Sequence, residues 1–175
     1  LHSIVYHDLD TGEVVSACHA ADSHPKKYTS IQDALQALMN ADELIGHNIC
    51  KYDLAVLRKL YPWFKPKGRI LDTLHMARLF IPEIKQADAK LIKRKLLPGH
   101  MLGRYSLEAF GYRMGKWKGD YSKVMKERGL DPWASWNPEM QDYCEQDVDV
   151  NVALYERLLK KWHDLEQPDP AKRIP

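Results

Sequence analysis

The stretch ELIGHNICKYD, residues 43–53, decides how the chain is to be read. ELIG is a short apolar run of strand character. The polar HNICKYD that follows leads into YDLAVLRKLY, where Leu54, Leu57 and Leu60 recur at amphipathic helical spacing. A strand running directly into a helix is the repeating unit of an α/β fold. The same order returns at GRILDTLHMARLF, residues 68–80, around Asp72. Two such junctions in succession predict an α/β chain with a partly parallel sheet. HNICKYD itself is either a chemical site or only a polar helix start, and its own residues do not choose between the two.

Working outward, SIVYHDL and EVVSACH are two β-rich runs joined through DTG, which predicts an antiparallel hairpin. SIQDALQALM then has Ser30 as N-cap, Asp33 as the capping-box acid, and Ile31, Leu35 and Leu38 on one helical face. From Ile81 to about Gly119 the chain is richer in lysine, glycine and proline. This segment is expected to cross the surface with one short helix starting at Ser106 and no domain boundary. The strongest helix signal lies in the last third. Asn137 is the N-cap and Pro138 the first helical residue, and a long run then carries Tyr143, Asp147, Val150, Leu154 and Leu158 on one face. The domain is expected to occupy residues 1–166, with the proline-rich QPDPAKRIP, residues 167–175, as a linker or tail.

Composition bounds the partners. A chain of 175 residues, 45% hydrophobic, suits one domain with a proper core. Its formal charge of +2, from 26 basic and 24 acidic residues, is too balanced to name a polyanionic partner. Cys18, Cys50 and Cys144 are odd in number and show no C-x-x-C spacing, which favours a reducing, cytoplasmic compartment. No run nears the roughly 18 apolar residues of a spanning helix, so no membrane partner is expected. The chain opens on Leu1 rather than a methionine, and residues are expected ahead of it.

Asp147 is the anomaly. A carboxylate in the apolar stripe of a helix costs several kcal/mol unless a cation or metal pairs with it. Asp53 sits where a strand gives way to a helix, the usual place of ligand groups in parallel sheets. Two acids meeting around magnesium or manganese would suit in-line displacement at phosphorus, and phosphodiester hydrolysis becomes the leading chemistry. Each residue also has a plainer role. Asp53 suits the first turn of a helix as a complement to its dipole, Tyr143 suits a core, Asp147 suits an arginine partner, and His47 suits a structural place. Asp72 either caps the helix beginning at Thr73 or supports the site from behind.

Taken together, HNICKYD and YCEQD resemble the second and third motifs of the DEDD exonucleases of the ribonuclease H-like fold, in the subclass with a tyrosine in its last motif. KLLPGHMLGRYSLEAFGYRMGKWKGDY and WNPEMQDYCEQDV are similar to the 3′–5′ proofreading domain of family A DNA polymerases from T-odd-type, short-tailed bacteriophages. The resemblance implies a ribonuclease H-like mixed sheet flanked by helices. It implies that Asp53 and Asp147 bind metal, with two ions of magnesium or manganese in the complete site, and that Tyr143 orients the attacking water. Asn48 is implied to contact substrate or to brace the site. The implied partners are the 3′ end of a single-stranded DNA or primer and a polymerase module in the same parent chain. The first motif of this group, D-x-E at the end of the first strand, is not found. Asp8 and Asp10 run into the hairpin turn, and taking Ser3 to Asp8 as the first strand leaves no third strand before Ser30. The motif and its strand are therefore expected upstream of Leu1. A stand-alone exonuclease acting on RNA or DNA and a catalytically silent domain that binds nucleic acid or protein are the alternatives.

Overall fold

The runs SIVYHDL and EVVSACH form the expected hairpin, β1 (Ser3–His7) and β2 (Val14–Cys18), antiparallel with Ser3 opposite Cys18 and His7 opposite Val14. Its turn is held by Asp8, whose carboxylate accepts the backbone N–H groups of Asp10 and Thr11 at 2.9 and 3.1 Å. Those bonds hold the Asp8 carboxyl below its usual range. The outer edge of β2 is occupied, since Cys18 N–H donates to the Thr29 carbonyl and Thr29 N–H to that of Ser16. By alternation Ala17 and Val15 pair with Ile4 and Tyr6, and the polar backbone groups of Ser3, Val5 and His7 face the other edge of β1.

The computed structural model describes residues 1–20, 27–116 and 119–166, and the chain divides into two compact units. The first gathers residues 1–45, 49–71 and 118–149. Here α1 (Ile31–Asn40) starts as its sequence predicts, with Ser30 Oγ accepting Asp33 N–H at 3.0 Å. Two further strands, β3 (Glu43–Gly46) and β4 (Arg69–Asp72), bracket α2 (Asp53–Leu60) and pair with each other, and Arg69 forms an ion pair with Glu43. The core of this unit is Ala17, Ile31, Ala34, Leu35, Leu54, Leu57 and Phe64. Leu60 does not join it and is 47% exposed, because α2 ends there and the chain turns away at Tyr61. Gly68 allows the strand to enter: a Cβ there would lie 2.2 Å from the Ala41 carbonyl oxygen.

The second unit gathers residues 46–48, 72–117 and 150–175. It holds α3 (Thr73–Phe80), α4 (Ile84–Lys93), a 3₁₀ turn at Gly99–Met101, and α5 (Leu107–Met114), which Ser106 caps as expected. The expectation of a single short helix in this segment is corrected by α4. Its buried positions are Ile84 and Asp88, one turn apart, so an acid occupies the place where the periodicity asks for an apolar residue. The core here is Ala77, Ile84, Phe110, Leu154 and Leu158.

Two more helices complete the chain, α6 (Tyr121–Glu127) in the first unit and α7 (Pro138–Glu166), which starts in the first unit and ends in the second. Asn137 caps α7 through Met140 N–H at 2.8 Å. Of the predicted stripe, Val150, Leu154 and Leu158 are buried, while Tyr143 and Asp147 are half-buried. Helices and strands together make a mixed α/β chain. Among the described residues the strands form two separate two-stranded sheets, β1–β2 and β3–β4, with no strand bridging the two ladders. The predicted linker at residues 167–175 lies outside the described residues.

Candidate functional site

Three of the predicted site residues, Asp53, Tyr143 and Asp147, belong to the first unit, and Asn48 belongs to the second. Tyr143 and Asp147 share α7 at i and i+4, one turn apart on one face. The start of α7 is fixed from two sides. On one, the Ser3 hydroxyl donates to Gln141 Oε1 at 2.6 Å and the Ser16 hydroxyl donates to Glu145, which ties the helix to the β1–β2 hairpin. On the other, the Tyr143 ring stacks on Tyr121 of α6, with centroids 5.8 Å apart and planes at 30°. Tyr121 is itself held, its hydroxyl donating to the Pro132 carbonyl at 2.9 Å and accepting from Asn137 Nδ2 at 2.8 Å.

Tyr143 thus has a core contact and an open side. It lines an open cleft of about 550 Å³ whose other walls carry Asp120, Glu139, Asp142, Glu145, Gln146 and Asp149. The cleft is acidic and suits cations more readily than bare phosphate. The field of Asp147 reaches its neighbour Cys144: burial pushes the Cys144 thiol up, a hydrogen bond to Ser3 works against this, and the charges of Asp147 and Glu145 push it up further. Asp53, the first residue of α2, is exposed at the helix N-terminus, where its charge complements the dipole.

The HNICKYD stretch proves to have a structural side within the second unit. Asn48 adopts a left-handed conformation, φ 60°, which asparagine tolerates better than most residues. Its N–H donates to the buried carboxylate of Asp72 at 2.9 Å, and the same oxygen accepts Leu74 N–H at 3.0 Å. Asp72 is therefore both the cap of α3 and the anchor of the turn after β3. His47 lies half-buried, Nδ1 at 3.0 Å from the Thr73 hydroxyl and Nε2 at 2.8 Å from the Tyr105 carbonyl. Burial pushes its pKa down, only partly offset by the Tyr105 bond and the Asp72 charge. His47 accordingly fastens the segment after β3 to the loop before α5. The sequence left Asp72 open between cap and support; its position directly before Thr73 was the available signal.

Among the described residues, no group of three or more histidine, cysteine, aspartate or glutamate side chains is arranged to hold a metal ion. Asp53 and Asp147 alone do not fit a complete two-ion site, which needs more oxygen donors than two carboxylates supply. Asp8, committed to its turn, adds none. No helix among the described residues is long and apolar enough to cross a membrane.

No family model matches the chain. It is 34% identical over 178 aligned positions to the DNA-directed DNA polymerase of Escherichia phage T7, and 35% identical over the same span to that of Enterobacteria phage T3. Each alignment covers 93% of this chain, and the chain spans 24% of the length of each relative. The chain is thus homologous to one portion of phage DNA-directed DNA polymerases.

Proposed function

We propose that the chain is the 3′–5′ exonuclease, or proofreading, part of a phage-type DNA polymerase. In this reading it has a ribonuclease H-like fold, works in the cytoplasm of a bacterial host, and removes nucleotides from the 3′ end of single-stranded or frayed DNA. The polymerase module belongs to the same parent polypeptide. The observation that carries the reading is Tyr143 at the wall of an open cleft with Asp147 one turn further along α7, in a chain homologous to phage polymerases over 93% of its length. The Tyr143 hydroxyl positions the attacking water, Asp53 and Asp147 are the carboxylates assigned to magnesium or manganese, and Asn48 contacts the substrate. Two further carboxylates, in an Asp-x-Glu strand outside residues 1–175, belong to the same reading. The separation of β1–β2 from β3–β4 supports it, since a sheet missing its middle strand would divide in this way.

The test compares matched DNA and RNA oligonucleotides, labelled at the 5′ end, on a polypeptide that carries such a strand ahead of Leu1. Asp147→Asn is expected to lose divalent-ion binding and nearly all hydrolysis while the fold persists; unchanged turnover would sink the assignment. Tyr143→Phe is expected to slow hydrolysis by roughly 10- to 1,000-fold with metal affinity near wild type, the loss of one positioned hydrogen bond. Loss of stability without loss of rate would instead make Tyr143 a core residue stacked on Tyr121. Faster cleavage of RNA would favour a stand-alone RNA exonuclease. A second reading, a silent domain that binds nucleic acid or protein, draws on the lack of a three-donor cluster among the described residues and the exposure of Asp53. It predicts no divalent-ion binding at all.

A further inference from the structure

Two non-glycine residues among those described have a left-handed backbone, Asn48 and Lys95. Lys95 lies in an exposed turn after α4, where nothing constrains it beyond its own chain. Asn48 is held differently. Its N–H donates to the buried Asp72 carboxylate, and the ring of the preceding residue, His47, is engaged at both nitrogens and packed edge-on to Phe110, centroids 6.1 Å apart. A backbone outlier so heavily determined by its surroundings points to function, because such strain collects at sites that bind or switch.

The polar chain that reaches His47 begins on α7. The Asn151 amide lies 2.7 Å from the Thr73 hydroxyl, that hydroxyl lies 3.0 Å from His47 Nδ1, and Nε2 lies 2.8 Å from the Tyr105 carbonyl. Thr73 is fully buried. A carbonyl only accepts, so Nε2 carries the hydrogen, and burial favours the neutral ring, which leaves Nδ1 a bare acceptor. The Thr73 hydroxyl has a single proton to give. Given to Asn151 Oδ1, it would leave its own lone pairs facing that of Nδ1. Given to Nδ1, it lets Asn151 turn its amide nitrogen to Thr73 Oγ1, and His47, Thr73 and Asn151 then satisfy one another. The Gly46 carbonyl, at 3.4 Å, is the more distant acceptor. The charges that His47 senses are Asp72, which favours the imidazolium, and Arg78, which opposes it.

We infer that Thr73 and Asn151 are positioning residues: their relay of hydrogen bonds fixes the ring of His47 and thereby the left-handed turn from which Asn48 meets the substrate strand. Apolar side chains would fill this buried space with less desolvation, and what the polar chain adds is a single permitted arrangement. The inference rests on the reading of Asn48 as a substrate contact.

The experiment uses the polypeptide that carries the Asp-x-Glu strand and measures binding of a fluorescent 10-mer of deoxythymidine without divalent ions, so that hydrolysis does not intervene. Thr73→Val removes the hydroxyl and Thr73→Ser removes the buried methyl, so both are expected to lower the melting temperature. Only Thr73→Val should weaken binding, by about tenfold, the effect of a displaced contact, while Thr73→Ser binds as the wild type does. Equal losses in both variants would reduce Thr73 to packing and overturn the inference. A second readout is the ring of His47 itself, by nitrogen-15 resonance at neutral pH. Hydrogen is expected on Nε2 and none on Nδ1, and the reverse would overturn the relay. In Asn151→Asp, whose carboxylate can only accept, the Thr73 proton is drawn from Nδ1 and the His47 pKa should rise by about 1 unit or more; an unmoved pKa would equally overturn it. Cleavage by the wild type with full affinity in Thr73→Val would overturn the positioning roles alone. Loss of affinity in Thr73→Val and its rescue by serine, without cleavage by the wild type, would overturn the nuclease reading and leave those roles standing. No binding by the wild type would overturn both.

Discussion

His47 sits in a stretch that could be a chemical site and acts structurally, the place its own chemistry suited. Its ring is half-buried, its Nε2 donates to the Tyr105 carbonyl, and its pKa is depressed, chiefly by burial. The folded state therefore holds the neutral ring and resists protonation. A base whose folded pKa lies below its unfolded value contributes stability that is present above the unfolded pKa, near 6.5, and is lost as the pH falls below it. The melting temperature is expected to drop between pH 7 and pH 5, with at most about 1.4 kcal/mol lost per pH unit from this one group. In His47→Gln that slope should shrink, and an identical slope in the variant would assign the acid sensitivity to other groups. The backbone of Asn48 and the carboxylate of Asp72 follow the same local logic, since the N–H of a left-handed turn finds its acceptor in the cap of α3.

At the scale of elements, α4 shows a charge performing the role of an apolar anchor. Asp88 is fully buried, and although burial pushes its carboxyl upward, the bonds from Arg113 and Gly103 outweigh this and hold it low. Such a pair is weak evidence of net stabilisation, yet removing one partner leaves a buried charge unmatched. Asp88→Ala is expected to destabilise the protein by about 3–5 kcal/mol, read from denaturant unfolding. The amides of residues 99–104 should also lose protection from hydrogen exchange, because Gly103 N–H and the Arg113 clamp lose their common acceptor. A cost under about 1 kcal/mol would mean that the loop is held by Leu97 and Met101 rather than by the acid.

For the whole molecule, the course of the chain matters more than any single contact. It passes between the two units five times, after residues 45, 48, 71, 117 and 149, so neither unit is one continuous segment. β3, β4 and α7 each have residues in both. Gly68→Ala perturbs the first unit, because a Cβ 2.2 Å from a backbone carbonyl cannot be accommodated by a side-chain shift. It is expected to cost at least about 1–3 kcal/mol, the range for overpacking. Gly68→Ala and Asp88→Ala should each move one common unfolding transition, with far-ultraviolet circular dichroism and tryptophan fluorescence coinciding. Two transitions separating in either variant would show that the units unfold independently despite their shared elements.

What the sequence determined by itself was the local grammar: the hairpin at DTG, the caps at Ser30, Ser106 and Asn137, and the strand-to-helix junctions at residues 43–53 and 68–80. These follow from short-range periodicity and hydrogen bonding, and the α/β class follows from their order. The pairing of Asp88 with Arg113, 25 residues apart, was not legible there, nor was the seating of Leu54 and Leu57 in the core while Leu60 is left exposed. The stacking of Tyr143 on Tyr121 and the use of His47 as a clamp for Tyr105 were equally hidden. Each depends on which distant groups share a desolvated space, where an acid becomes tolerable or a histidine neutral only through partners that the tertiary structure brings beside it.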